Sequence, residues 1–334
     1  MANNMTAMPI LFSFATTLIL LALFLRNKAL MQISDVPNER SLHAAPIPRF
    51  GGLAIMFGVP FSWAAASIPS DWALLFAVML LVGISFLDDA KGMSIRWRFL
   101  AHFAAASAFV YANLFAMINP LICVFLVVAI VWMINLYNFM DGSDGLAGGM
   151  ALFGFAFYGI AAQMVGASVF ATMNFCIAAA ALGFLFYNFN PAKIFMGDSG
   201  SVPLGFLAAA LGLSGWVKGY WPFWFPIMVF SPFVVDATVT VIKRLFRGKK
   251  IWQPHREHYY QRLVQMGWGH KKTALAEYLL MFVVGSIALL SFTQSAQMQM
   301  MALCLVAIIY LLLSALISNQ WRDHPARKTT KKKK

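Results

Sequence analysis

Two carboxylates and two carboxamides crowd one short run of this chain, Asn135-Leu-Tyr-Asn138-Phe-Met-Asp141-Gly-Ser-Asp144, at the mouth of an apolar segment. Ionised carboxylates are costly in hydrocarbon. They persist at a membrane interface mainly where a cation, a substrate or a partner charge compensates them. The run therefore reads first as a site.

Three other runs carry the same flavour. Asp88 and Asp89 close an apolar stretch just before Lys91, Arg96 and Arg98. Adjacent carboxylates suit magnesium or base chemistry, but double ionisation needs a positive neighbour; the plainer reading is a solvated helix end. Asp198 lies in Phe195-Met-Gly197-Asp198-Ser-Gly200-Ser201. The glycines allow close backbone approach, and the helix that follows offers free N–H groups to anions. Asp198 would then hold a metal and the amides a phosphate, the plainer reading being an ordinary helix N-cap. Magnesium takes near-octahedral oxygen coordination, with one or two protein groups and phosphate oxygens, which Asn or Asp side chains from two loops satisfy. Finally, His255, Arg256 and His258 bring imidazole and guanidinium donors suited to a diphosphate. Zinc lacks a third ligand of suitable spacing.

The elements that must position these groups are membrane helices. The chain has 334 residues, 61% hydrophobic and 11% charged, against roughly 25% charged in soluble domains. The expected fold is all-α and polytopic, with the active site in cytoplasmic loops. About eleven apolar runs are long enough to span a bilayer, near residues 8–27, 51–69, 72–88, 99–117, 119–137, 145–164, 167–187, 200–217, 221–242, 273–294 and 299–318. The short separations around residues 70 and 118 allow a kinked helix instead of a hairpin, hence a count of ten. With eleven, 24 of the 25 Lys and Arg residues fall on one face, only Lys218 on the other. Cytoplasmic loops carry the Lys/Arg excess, so the N-terminus is expected outside and the basic tail, 321–334, inside, after one transmembrane domain over 1–320. Most acidic residues share that basic face.

The net charge of +13 needs no nucleic acid to explain it; topology and anionic membrane lipids suffice. The first apolar run lacks a basic leader and is too long for a cleaved signal, so it reads as an anchor. The three cysteines lie singly in apolar runs and read as packing residues. Asp236, inside the ninth run, is either structural or lines a lipid groove. The pair Gly215 and Gly219 is too weak a small-residue signal to assign a homodimer face, which leaves a dimer open.

In order along the chain, Asp35 to His43 with Pro48-Arg49-Phe-Gly51-Gly52, then Asp88-Asp89, Asn135 to Leu146, Phe195 to Ser201 and the His/Arg loop resemble the polyprenyl-phosphate N-acetylhexosamine-1-phosphate transferases of glycosyltransferase family 4. That resemblance implies transfer of a sugar 1-phosphate from a UDP-N-acetylamino sugar to undecaprenyl phosphate in the bacterial inner membrane, with UMP released, initiating O-antigen-like surface polysaccharide. Magnesium is the implied cofactor, with manganese as a substitute. It further implies Asn138 and Asp198 as metal ligands and Asp88, with Asp89 beside it, as the group facing the acceptor phosphate. A phosphate monoester is mostly dianionic at neutral pH, its second pKa being about 6. Asp88 is thus left either to deprotonate the acceptor or to order water, metal or a neighbouring cation. Asp144 resembles the uracil-reading position, with Asp141 toward the catalytic centre. Asn135, Lys193, Arg96 and Arg49 join the substrate-binding set, and His255, Arg256 and His258 resemble diphosphate and sugar contacts.

The last loop departs from the family, which often has a denser histidine cluster there. The departure points away from the lipid I synthase, which uses UDP-muramoyl-pentapeptide, and leaves N-acetylglucosamine and 6-deoxy amino sugars open as donors. A secondary transporter, the rival class, would gather its polar groups near the bilayer midplane.

Overall fold

Side-chain caps start two of the helices that carry the polar groups. The computed structural model describes residues 3–27, 34–35, 46–69, 71–250 and 255–325. Helix α3 (Trp72–Lys91) starts at Asp71, whose carboxylate accepts from the amides of Ala73 and Leu74, and stops at Gly92, with φ 69°. Helix α5 (Pro120–Phe139) starts at Asn119, whose side chain accepts from Leu121, with proline at its first turn. Both caps lie at the pole of the bundle opposite the polar runs, so α3 and α5 deliver Asp88, Asp89 and Asn138 to one end. Helix α8 (Asp198–Val217) begins at that same end.

Along the chain α1 (Asn3–Phe24) is followed by a two-residue antiparallel pair, β1 (Ser34–Asp35) with β2 (Ile47–Pro48). Then come α2 (Gly51–Ala65), α3, α4 (Ile95–Asn113), α5, α6 (Leu146–Met164), α7 (Ser168–Asn188) and α8. The chain ends in α9 (Trp224–Val229), α10 (Ser231–Leu245), α11 (Tyr259–Leu263), a π turn (Val264–Trp268), α12 (Gly269–Ser291) and α13 (Ala296–Asp323). Helix α8 packs against α3 and α5, and α7 against α1, α2 and α6, while α13 lies at the edge.

The architecture is all-α and polytopic apart from the small β pair. Eight helices among the described residues are long and apolar enough to cross a membrane; the eleven expected from the sequence are not all of that kind. The second expected span is a helix of 15 residues. The fourth is α4, which starts at Ile95 and so takes in Arg96 and Arg98 besides His102. The ninth breaks at Phe230, where Pro232 starts a new helix. At both short separations the chain turns between distinct helices, Ala65 to Trp72 and Asn113 to Pro120, in place of one kinked helix. Helix α13 runs to Asp323, past the expected boundary at 320. Glu39, Arg40, His43 and most of the basic tail lie outside the described residues, as do Gln253 and Pro254.

Candidate active site

Four helix ends converge on one cluster of charge. The Arg98 guanidinium at the start of α4 spans two carboxylates, with Nη1 3.1 Å from Asp88 Oδ2 and Nη2 2.8 Å from Asp198 Oδ2. Asn138 Nδ2, from the last turn of α5, donates to Asp198 Oδ1 at 2.8 Å and to Ser201 Oγ at 3.1 Å. Asp88 Oδ1 accepts from the Met93 amide. Asp88, Asn138 and Asp198, picked from separate runs of sequence, therefore meet.

Asp89 faces another way. Successive helical residues project about 100° apart, so when Asp88 faces Arg98 its neighbour turns toward α8. There its carboxylate accepts from the amides of Asp198, at 3.2 Å, and Ser199, at 2.9 Å. This corrects the expectation that those amides receive a substrate phosphate: a buried carboxylate of the protein already caps them. Arg49 supports the same joint, donating from Nη2 to the Asp89 carbonyl at 2.8 Å with Nε 3.8 Å from Oδ1. Gly197 is obligatory at this crossing. Its φ is +74°, and a Cβ there would lie 2.2 Å from the Arg49 carbonyl oxygen and 2.9 Å from Asp89 Oδ2.

A strap joins the Arg49 and Asp198 loops. Phe195 N donates to Pro48 O, Gly51 N to Phe195 O and Gly52 N to Met196 O, at 2.7, 2.9 and 2.8 Å. The second glycine of Gly51-Gly52 thus lies against Gly200, backbone on backbone.

Asp144 is buried beside this cluster at the start of α6. Its Oδ2 accepts from Asn190 Nδ2 at 2.8 Å and the Ala192 amide at 3.1 Å, and its Oδ1 is 3.7 Å from His270 Nδ1. Ser143 Oγ lies 2.9 Å from the same imidazole nitrogen. Lys193 follows Ala192 on this loop, its side chain exposed. Asp141 is half-buried at the end of α5, its amide donating to the Asn138 carbonyl at 3.2 Å.

Asp236 is structural in this fold. It is buried in α10 and accepts from the amides of Tyr259 and Tyr260, at 2.8 and 3.0 Å, and from Thr240 Oγ1 at 3.2 Å; its Oδ1 is 3.3 Å from His258 Nδ1. The carboxylate therefore docks the His/Arg loop. Tyr260, fully buried, donates its hydroxyl to the Phe139 carbonyl at 3.2 Å, next to Asn138. The His255 ring lies against His258, tilted by 30° with centroids 4.8 Å apart, and the Arg256 carbonyl accepts from Gln265 Nε2. Burial, reinforced by the charges of His258 and Arg244, holds the His255 imidazole down at about 3, so it is neutral near pH 7. Glu257 is also held below its ordinary value. Burial opposes this, but the hydrogen bond and charge of Lys249 and the charge of Arg244 outweigh it.

Two expected residues stand apart. Asn135 Nδ2 donates to the Val131 carbonyl at 2.7 Å and lies 3.4 Å from His102 Nδ1, so it faces α4 inside the bundle. Arg96 is exposed, and Arg98 is the arginine on the carboxylates. Periodicity alone does not separate them: Arg98 continues into buried Ala101, His102 and Ala105, whereas Arg96 continues into the more apolar yet exposed Leu100 and Phe103. His270 carried no signal at all. It follows a kink at the π turn, with positive φ at Gly267 and Gly269, that ends α11 and starts α12.

The donor set is of the kind magnesium takes. Two carboxylates already face one positive charge, with a carboxamide oxygen source alongside. No group of three or more His, Cys, Asp or Glu suited to a metal occurs among the described residues, so such a cation would draw its remaining ligands from phosphate or water.

Known proteins are similar to this chain over most of its length. A family model described as glycosyl transferase family 4 matches residues 72–215, the stretch that contains Asp88, Arg98, Asn138 and Asp198. A probable undecaprenyl-phosphate N-acetylglucosaminyl 1-phosphate transferase of Bacillus subtilis (strain 168) is 32% identical over 304 residues, covering 84% of each chain. A decaprenyl-phosphate N-acetylglucosaminephosphotransferase of Mycobacterium leprae (strain TN) is 30% identical, covering 74% of each. A phospho-N-acetylmuramoyl-pentapeptide-transferase of Staphylococcus carnosus (strain TM300) is 29% identical, covering 84% of this chain and 97% of the relative. With its polar cluster at one pole of a multi-span helical bundle, and with these relatives, the chain belongs to glycosyl transferase family 4.

Proposed function

We propose that the chain transfers an N-acetylamino-sugar 1-phosphate from a UDP-sugar to undecaprenyl phosphate, releasing UMP and leaving a lipid-linked sugar diphosphate that initiates a surface polysaccharide. One observation carries the reading: Asp88, Arg98, Asn138 and Asp198, from four different helices, meet at a single pole. A phosphoryl transfer between two anions needs cations to neutralise them, since its catalysis is mostly positioning and electrostatics, and this cluster offers one guanidinium beside oxygen ligands that would hold a divalent cation.

In this reading Asp198 and Asn138 hold magnesium, or manganese in its place, which when bound neutralises charge on the diphosphate. Asp88 orients the acceptor phosphate, whose oxygen attacks the β-phosphorus of the donor as the bond to UMP breaks. Arg98 supplies a bidentate donor to phosphate oxygens. Asp89 and Arg49 keep α8 in place beneath Asp198. Asp144, its loop with Lys193, and neighbouring Asp141 bound the nucleotide side. His255, Arg256 and His258 border the sugar side, where neutral His255 acts as a hydrogen-bond partner without charge. The excess of Lys and Arg at this pole supports its facing the cytoplasm at a bacterial inner membrane, with the N-terminus outside.

The relative from Staphylococcus carnosus favours a second reading, transfer from UDP-muramoyl-pentapeptide. UMP release by the purified protein, with undecaprenyl phosphate, magnesium and a panel of UDP-GlcNAc, its 6-deoxy relatives and UDP-muramoyl-pentapeptide, decides between them. Lipid-dependent release with an amino sugar supports the first reading, release with the pentapeptide donor alone supports the second, and no release with any donor defeats both.

A further inference from the structure

Every oxygen of the two central carboxylates already has a partner. Asp88 Oδ1 accepts from Met93 N, Asp198 Oδ1 from Asn138 Nδ2, and both Oδ2 atoms face Arg98. A cation entering between Asp88 and Asp198 must therefore displace a guanidinium or share its oxygens with one. Sharing is unfavourable, because two positive centres would stand within a few ångströms in a site partly shielded from water. Arg98 is free to leave in a way that Asn138 is not: it sits in the first turn of α4 on a long side chain, about a third exposed. What would draw it away is an anion with two oxygens to offer its planar fork, and a diphosphate is that group.

We propose that Arg98 is the resident countercharge of the Asp88–Asp198 pair, and that the donor diphosphate withdraws it so that the divalent cation and the nucleotide bind together. The proposal rests on the reading that Asp198 and Asn138 hold the metal. Without nucleotide the carboxylates are neutralised by Arg98, and the cation binds weakly. With nucleotide the guanidinium turns to the phosphates and the vacated oxygens take the cation. By linkage the effect is reciprocal, so the cation tightens the nucleotide by the same factor. Arg98 thus acts as a positioning residue for metal and substrate in addition to any contact it makes in the reaction.

The test is Mn²⁺ binding to the purified full-length chain in detergent, read by electron paramagnetic resonance, with and without UDP and corrected for Mn²⁺ held by free UDP. The wild type should bind Mn²⁺ about tenfold or more tightly when UDP is present, within the usual range for coupled sites. Arg98→Gln should bind Mn²⁺ alone about tenfold more tightly than wild type and lose most of the UDP enhancement. Lys91→Gln removes an equal charge from an exposed position near the end of α3 and should behave as wild type. Arg98→Lys keeps the charge but not the fork; it should show a weakened enhancement, and it serves if the glutamine variant does not fold. Mn²⁺ affinity unchanged in Arg98→Gln, or raised equally in Lys91→Gln, overturns the proposal while leaving the metal reading intact. If UDP binds but no form takes up Mn²⁺, the metal reading falls and this proposal with it.

Discussion

Gly52→Ala tests whether the two loops beneath the Asp88–Asp198 cluster form one mechanical unit. A Cβ on Gly52 would stand 2.2 Å from Gly200 Cα, 2.4 Å from Gly200 N and 2.8 Å from Met196 O. All three obstacles are backbone, so no side chain can rotate away. Ordinary contact begins near 3.4 Å, and the two segments must part by at least 1.2 Å. The hydrogen bonds Gly51 N to Phe195 O and Gly52 N to Met196 O, now 2.9 and 2.8 Å, would then stretch to about 4 Å, beyond hydrogen-bond reach. Two lost bonds contribute about 1 kcal/mol each, and forced overpacking typically costs 1–3 kcal/mol, for a total of about 3–5 kcal/mol. Asp198, two residues beyond Met196, would move with the strap, and displacement of this order costs roughly a hundredfold in rate. The assay pairs thermal unfolding in detergent with UMP release. Gly83→Ala is the control: that helical glycine has nothing within 4 Å of a built Cβ, so alanine should be neutral or stabilising by about 0.5–1 kcal/mol. A Gly52→Ala protein with wild-type melting and turnover would falsify the strap as a constraint on the site.

Three further outcomes are expected. Asp198→Asn should abolish magnesium-dependent turnover while the protein remains folded and membrane-inserted; wild-type activity would remove Asp198 from the metal. Asp236→Ala should free the His/Arg loop, raising hydrogen exchange at Tyr259 and Tyr260 and increasing KM for the donor far more than Asp236→Asn, which retains one acceptor oxygen; unchanged exchange would show that something else docks the loop. His255 should stay neutral above about pH 4, since its folded value is about 3. That value lies below the ordinary 6.5, so acid protonates the released loop first and docking weakens progressively as pH falls from 6.5 toward 3. Glu257, also depressed, pulls in the same direction. An imidazole resonance of His255 titrating near 6.5 in the folded protein would refute this.

The site was legible because its chemistry is rare in an apolar chain. Asp88, Asn138 and Asp198 stood out against hydrocarbon, and each lies where a span begins or ends. What stayed hidden was orientation and return paths. Neighbouring Asp88 and Asp89 look equivalent in sequence, yet helical geometry sends one to the cluster and the other to the amides of α8. Arg96 and Arg98 look equivalent until the buried face of α4 is known. Asp236 could be assigned only when the loop that it docks folded back on it, and His270 only when the kink at the π turn was known. The span count fared worst at α2, α4 and the broken α9–α10 pair, where short length, charge or proline departs from the ideal spanning helix.

The carboxylate of Asp89, spent on the first amides of α8, separates two meanings of an essential residue. On the proposed function, loss of either Asp88 or Asp89 would silence the protein. For Asp88 the loss would be chemical, in a chain as abundant and as well folded as before. For Asp89 it would come from the start of α8, with two amides stripped of their acceptor and Asp198 carried off along with them. An inventory of inactivating substitutions would rank the two alike. Only protein abundance, measured beside turnover, tells the residue that meets the substrate from the one that holds the floor beneath it.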